Sequence, residues 1–347
     1  MIKLFSVFIL LSLSVIIFAQ RSSGFSFVEK KDKKQVDVLF NNKLLTAYCN
    51  FDSSRKPVLF PVNTIDGITV TRSYPIKLIA GERTDHPHHT GIWLNYESVN
   101  GLDFWNNSTA IPVEKRDHYG TIIHQQIVSK KANGNKATLV TKSIWVNPGN
   151  KTLLDELTTF NFSVDTKANN FIIDRITTLT AKDSTVVFRD VKDGMFAIRV
   201  ARELELPSKE KTSFVDDKGN VTTVAPSGAD ATGMYYSSNG SQGDSVWSTK
   251  GDWVMLTGKK DGKDITIGMF DHPLNVGYPT YWHARGYGLF ALNPLGRKVF
   301  SNGKEELNFS LKPGASVTFR YRVVVHSGKF LRNGDMNKLF ADFKGVK

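Results

Sequence analysis

Apolar and polar residues alternate with a period near two through most of the chain. Val36–Phe40, Ala137–Trp145, Thr158–Val164, Phe171–Leu179 and Ser316–Val325 are rich in β-branched and aromatic residues at this spacing, as strands with one buried face require. Ala-Asn-Gly-Asn at 132–135, Asn-Pro-Gly-Asn at 147–150, Asp-Lys-Gly-Asn at 217–220 and Lys-Asp-Gly-Lys at 260–263 punctuate them as turns. The pattern predicts an all-β sandwich or barrel of hairpins, not alternating β and α units. One segment departs from it. Met336, Leu339, Phe340 and Phe343 fall at i, i+3, i+4 and i+7 behind Asp335, which predicts a short C-terminal helix capped by that aspartate and packed on the sandwich. Residues 226–244, PSGADATGMYYSSNGSQGD, predict one long loop.

The first 19 residues break the pattern differently. An apolar run from Leu4 to Phe18 follows a single lysine and ends at Ala19 and Gln20, the form of a secretory signal peptide. Cleavage near Ala19 predicts a periplasmic or secreted protein, with residues 20–347 as a single β-sandwich domain. No later apolar run reaches the roughly 20 residues of a membrane helix. Cys49 is the only cysteine, so the fold carries no internal disulfide. The formal charge is +12. Its lysines are scattered over turn-like segments, as solvated loop charges are, and with export this argues against a nucleic-acid partner.

Candidate chemistry concentrates in two segments. In Asp85-His86-Pro87-His88-His89 three of eight histidines occur within four positions. Proline biases the preceding residue toward extended geometry, so His86 and His88 are expected on one face and His89 on the other. Arg72, Glu82 and Asp85 lie nearby in sequence. An imidazole oriented by a carboxylate can move protons near neutrality. The alternative is a divalent metal held by His86 and His88 with a third ligand such as His283. The second segment runs from Asp271-His272-Pro273 to Tyr281-Trp282-His283-Ala284-Arg285. As a strand it would put His283 and Arg285 on one face and Trp282 on the other. Aromatic rings beside hydrogen-bonding groups suit a sugar, whose C–H face stacks while its hydroxyls find partners. Trp105, after the turn Asn100–Asp103, is a further candidate for such a groove. Glycine-rich phosphate loops, a serine nucleophile elbow and paired-cysteine metal motifs are all missing from the sequence.

PVNTIDGITVTRSYP, GERTDHPHHTGIW, VNGLDFW and FDHPLNVGYPTYWHARGYGLFALNP together resemble the bacterial PmoA-like family, labelled methane oxygenase PmoA, a domain of largely unknown function. The resemblance implies a large antiparallel β-sandwich similar to the galactose-mutarotase-like supersandwich proteins, which bind sugars in a groove on one sheet. In that group a histidine serves as acid and a Glu, His or Tyr as base. The resulting expectation is an exported carbohydrate-active enzyme working by acid/base catalysis in epimerisation, elimination or hydrolysis. Its proton-transfer candidates are His86, His89 and His283. Arg72, Glu82, Trp93, Trp105, Tyr281, Trp282 and Arg285 are the candidate contacts to a sugar, uronate or oligosaccharide. A metal-dependent oxygenase or hydrolase, with His86, His88 and His283 as ligands, and a non-catalytic glycan-binding module are the alternatives.

Overall fold

A computed structural model describes residues 23–224 and 230–346. The segment expected to be a signal peptide therefore lies outside the described residues. Two eight-stranded antiparallel sheets face one another. The first is ordered Phe25–Lys30, Gln35–Phe40, Lys43–Cys49, Val58–Val62, Ile92–Tyr96, Gly194–Arg199, Leu289–Asn293, Tyr281–Arg285. The second runs Met234–Ser237, Trp253–Lys260, Lys263–Asp271, Ser316–Ser327, Asn170–Ala181, Thr152–Asp165, Lys136–Val146, Thr121–Asn133. All five segments expected as strands are found within these elements. Their inward residues form one core, in which Phe196 of the first sheet stacks on Tyr321 of the second at 4.9 Å. Burial of this apolar face is the main stabilising term, at about 25 cal/mol per Å².

The helix Asn333–Phe343 buries Met336, Phe340 and Phe343 against Trp253, Met255, Phe270 and Val324 on the outer side of the second sheet. Its cap differs from expectation. Arg332 holds the N-cap position, and Asp335 sits three residues on, accepting the Arg332 backbone N–H at 3.0 Å. The carboxylate serves an orphan donor of the first turn from inside the helix. The expected 226–244 loop is also not one loop, since the strand Met234–Ser237 pairs with Trp253–Lys260 and a 3₁₀ turn spans Gly243–Val246. The alternation in Met234-Tyr-Tyr-Ser was too short to outweigh the surrounding turn residues.

The outer face of the first sheet is the part that bears on function. Directly paired residues share a face, so Trp93, Ala197, Ala291 and His283 form one row across four strands. The two alanines between the two rings are fully buried, in a cluster against which Tyr287 packs. A neighbouring row places Arg199, Leu289 and Arg285 on that same face.

Candidate functional site

The loop 83–89 lies over this face, held by a buried arginine. Arg72 donates to the carbonyls of Arg83, Asp85, His86 and His89 and to Asp85 Oδ1 at 2.8–3.4 Å. Four carbonyls and a carboxylate leave this guanidinium little capacity for a ligand. Glu82 is similarly occupied, accepting the backbone N–H groups of Ser73 and Tyr74. Both residues, expected as substrate contacts, are instead the scaffold of the histidine loop. Gly91 lets the chain leave that loop: its φ is +57°, and a Cβ there would lie 2.2 Å from the Leu59 carbonyl oxygen.

The expected extended geometry at His86 is not formed. His86 has φ of +44°, because closing the loop onto Arg72 demands a tight turn that the local proline bias does not prevent. The three imidazoles are consequently in mutual contact. His86 stacks on His89 at 4.8 Å and on Tyr287 at 5.0 Å, and His89 continues the stack onto Trp93 at 5.3 Å. His88 meets His86 and His89 edge-on at 5.6 and 4.3 Å. Tyr287 arrives from the hairpin tip between Tyr281–Arg285 and Leu289–Asn293, a turn closed by Gly288 at φ of +89°.

The three histidines differ in what they can do. His86 is the exposed one, and its Nδ1 lies 2.6 Å from Asp85 Oδ2. Burial alone would raise the Asp85 carboxyl. The His86 hydrogen bond and the charges of Arg199 and Arg72 overcome that cost and hold it well below the usual range. His89 is buried, and burial, with His88 and Arg199 nearby, pushes it far below an ordinary histidine. It is therefore neutral. Arg199 faces His89 Nδ1 at 3.3 Å; a guanidinium only donates, so Nδ1 accepts and the proton sits on Nε2. That N–H has no acceptor among the described residues, nor does the indole N–H of Trp93. His283 is buried too, pushed down to about 3 by burial and the charges of Lys192 and Arg285. Its Nδ1 has no hydrogen-bond partner and lies 3.6 Å from Asp193 Oδ1.

Several groups that motif reading passed over complete the site. Asp193, Glu97 and Asp103 are half-buried carboxylates. Burial raises all three, and mutual repulsion adds to the shift at Glu97 and Asp193. Asp193 Oδ1 lies 3.6 Å from His283 Nδ1, at the end of the row that begins with Trp93. Glu97 and Asp193 tie their backbones together, Glu97 N–H to the Asp193 carbonyl at 2.8 Å and Asp193 N–H to the Glu97 carboxylate at 3.1 Å. Lys56 is buried with its Nζ donating to the His88 carbonyl at 2.8 Å and lying 5.4 Å from the Trp93 ring centre. Burial pushes it down to about 7, with Asp103 opposing the shift. Only a contact across 32 or more residues reveals these groups; no local spacing does.

The remaining candidates divide. Trp93 and Trp105 lie under the histidines, their rings 5.3 Å apart and both almost fully buried. Tyr281 shares the His283 face, but its ring stacks on Phe300 and its hydroxyl donates to Glu305 at 3.0 Å. Trp282 belongs to the sandwich core with its N–H on the Gly251 carbonyl. Strand parity makes this unavoidable once His283 faces the groove, so Trp282 is no part of a sugar-facing wall. Arg285 is exposed, its guanidinium 5.6 Å from the Trp247 ring centre and 6.0 Å from that of Tyr287. The second Asp-His-Pro is a turn element: Asp271 accepts from His272 N–H, Thr280 N–H and Asn275, and His272 packs on Phe343. Among the described residues no group of three or more His, Cys, Asp or Glu side chains is placed to hold a metal ion. The ligand set His86, His88 and His283 is thus not assembled, since His283 stands in the row three strands across from Trp93.

Lys56 offers a measurable check on this burial. Between pH 7 and the ordinary lysine value of about 10.4, the unfolded chain carries a proton that the folded protein lacks, so stability rises with pH across that window. Below pH 7 both states are charged and the cost of burial is constant. The stability of wild type relative to Lys56→Met is expected to climb from pH 7 upward and to be flat below it in urea unfolding. Parallel curves for the two proteins would place the ammonium in water.

The fold and site define an all-β, two-sheet sandwich with a cluster of histidines, aromatic rings and carboxylates on one outer face. The chain belongs to the family of unknown function DUF6807, whose model matches residues 35–341. The matching model bears that description and not the methane-oxygenase name that the motifs suggest. No curated protein matches the chain in sequence. Among solved structures the chain is similar to a galactose 1-epimerase from Lactobacillus acidophilus NCFM, with 11% identity, coverage of 88% of this chain and 100% of that one, and a TM-score of 0.38. It is also similar to a galactose mutarotase related enzyme from Lactobacillus acidophilus, at 11% identity, coverage of 89% and 99%, and a TM-score of 0.32. No helix among the described residues is long and apolar enough to cross a membrane.

Proposed function

We propose that the groove on the first sheet is the active site of an exported carbohydrate-active enzyme that works by proton transfer. The observation that carries this reading is the stack Tyr287, His86, His89, Trp93, in which two buried N–H donors, His89 Nε2 and Trp93 Nε1, have no acceptor among the described residues. Unsatisfied buried donors cost about 1–3 kcal/mol each, a cost that a ligand oxygen relieves. His86, oriented by Asp85, is the group placed to give or take a proton at a ring or glycosidic oxygen. Asp193, raised by burial and 3.6 Å from His283, is the complementary acid or base. His283 and His89 remain neutral and act as hydrogen-bonding partners to the substrate.

Epimerisation, elimination and hydrolysis all use such a pair, and a product screen separates them. Purified mature protein is incubated with neutral and uronate oligosaccharides and products are followed by mass spectrometry and proton NMR. A new anomer, an unsaturated sugar or a cleaved glycoside is expected, lost in His86→Ala and sharply reduced in Asp193→Asn. Binding without any product would make the chain a glycan-binding module instead.

A further inference from the structure

Beside the histidine groove, on the other side of Tyr287, lies a pocket of about 330 Å³ lined by Arg285, Trp247, Asp244, Glu210, Arg83 and Tyr287. That volume is at the lower end of the range of small-molecule pockets. Tyr287 is the wall common to both spaces, since its ring also stacks on His86. Trp247 supplies an indole whose N–H is buried and has no partner among the described residues. Arg285 lies 5.6 Å from its ring centre and has no ion pair among the described residues. Trp247 is braced from behind by Phe300, at 5.8 Å, which also packs on His283 at 5.9 Å. The pocket and the groove therefore share one rigid support.

We infer that this pocket is a second sugar subsite, so that the substrate of the groove is a glycoside of at least two rings whose second ring is neutral. The inference rests on the carbohydrate reading of the groove. A ring on the Trp247 indole would meet the donors of Arg285 and the acceptors Asp244 and Glu210 together, as the mixed donor and acceptor character of hydroxyls demands. The charge balance selects the class of ring. The lining carries two guanidiniums, Arg83 and Arg285, against two carboxylates, Glu210 and Asp244. So balanced a lining offers no net attraction to a uronate or phosphorylated ring, whereas an uncharged ring uses both signs. Gly286 keeps the hairpin close to this acceptor, for a Cβ there would lie 3.1 Å from Asp244 Oδ1.

Calorimetry on the mature protein with cellobiose, maltose and lactose against glucose, galactose and digalacturonate tests the inference. At least one neutral disaccharide is expected to bind about tenfold tighter than its component monosaccharides, the worth of one stacked aromatic contact. Trp247→Ala is expected to bring that ratio close to one, and Trp247→Phe to restore part of it. Arg285→Gln, at an exposed position, supplies a second variant should Trp247→Ala lose its fold, with the same expected fall in the ratio. Equal affinity for one and two rings, or a ratio untouched by both variants, overturns the subsite while leaving the groove reading intact. Tighter binding of digalacturonate than of any neutral disaccharide overturns the neutral ring. Failure to bind any sugar overturns the groove reading and the subsite with it.

Discussion

Replacement of His86 by alanine is expected to lower turnover by about 10²- to 10⁴-fold, the usual contribution of a positioned acid or base. The melting temperature should barely move, because the ring is exposed and its stacking partners His89 and Tyr287 are supported elsewhere. The expectation stands on geometry. His86 combines solvent contact with a carboxylate at 2.6 Å, and that carboxylate is fixed in turn by Arg72 at 2.8 Å and Arg199 at 2.7 Å. Asp85→Asn should consequently lose part of the same activity with little change in substrate affinity, since it disturbs the orientation of the ring and not the groove wall. Wild-type turnover in His86→Ala would remove this residue from the chemistry and shift the proton-transfer role to Asp193 and its neighbours.

The largest loss of stability is expected from Glu205→Ala. Glu205 is buried and its Oε2 accepts from Arg83 Nε at 2.6 Å and Arg202 at 3.0 Å, while Oε1 lies 3.7 Å from Arg199. Removing the one carboxylate shared by three buried guanidiniums leaves charges without compensation, a change that costs about 3–5 kcal/mol for a buried pair. A fall in melting temperature on the order of 10 °C follows for a chain of this size. Arg199 also faces Asp85 and His89, so activity should decline with stability. The converse change, Arg202→Met, should be milder, since Arg83 and Arg199 still neutralise Glu205 and Arg202 has an exposed second partner in Asp230. A Glu205→Ala protein within 1 kcal/mol of wild type would show that water or rearranged carboxylates replace the lost partner.

These two residues illustrate where sequence reading succeeds and where it stops. His86 stood out because three histidines within four positions are conspicuous at any geometry. Glu205 did not, since a single glutamate in Arg202-Glu203-Leu204-Glu205 looks like any solvated charge until the contact to Arg83, 122 residues away, is known. The roles of Arg72 and Glu82 are illegible in the sequence for the same reason. An arginine near a histidine cluster can bind a ligand or the backbone, and only loop closure shows that four carbonyls reach it first.

Apolar periodicity by itself determined the all-β class, five of the strands and the opposition of His283 to Trp282 through its period of two, and the stripe of the terminal helix through its i, i+3, i+4, i+7 spacing, because side-chain direction along a strand or helix is a local property of the backbone. Tertiary structure alone decided that His86, His88 and His89 touch one another, that Tyr287 closes their stack, and that Lys56, Asp103 and Asp193 share the groove. Each of these depends on pairing between strands distant in sequence and on a loop forced into positive φ by a buried arginine. Such contacts are set by the energy of the whole assembled sheet, which no window of neighbouring residues contains.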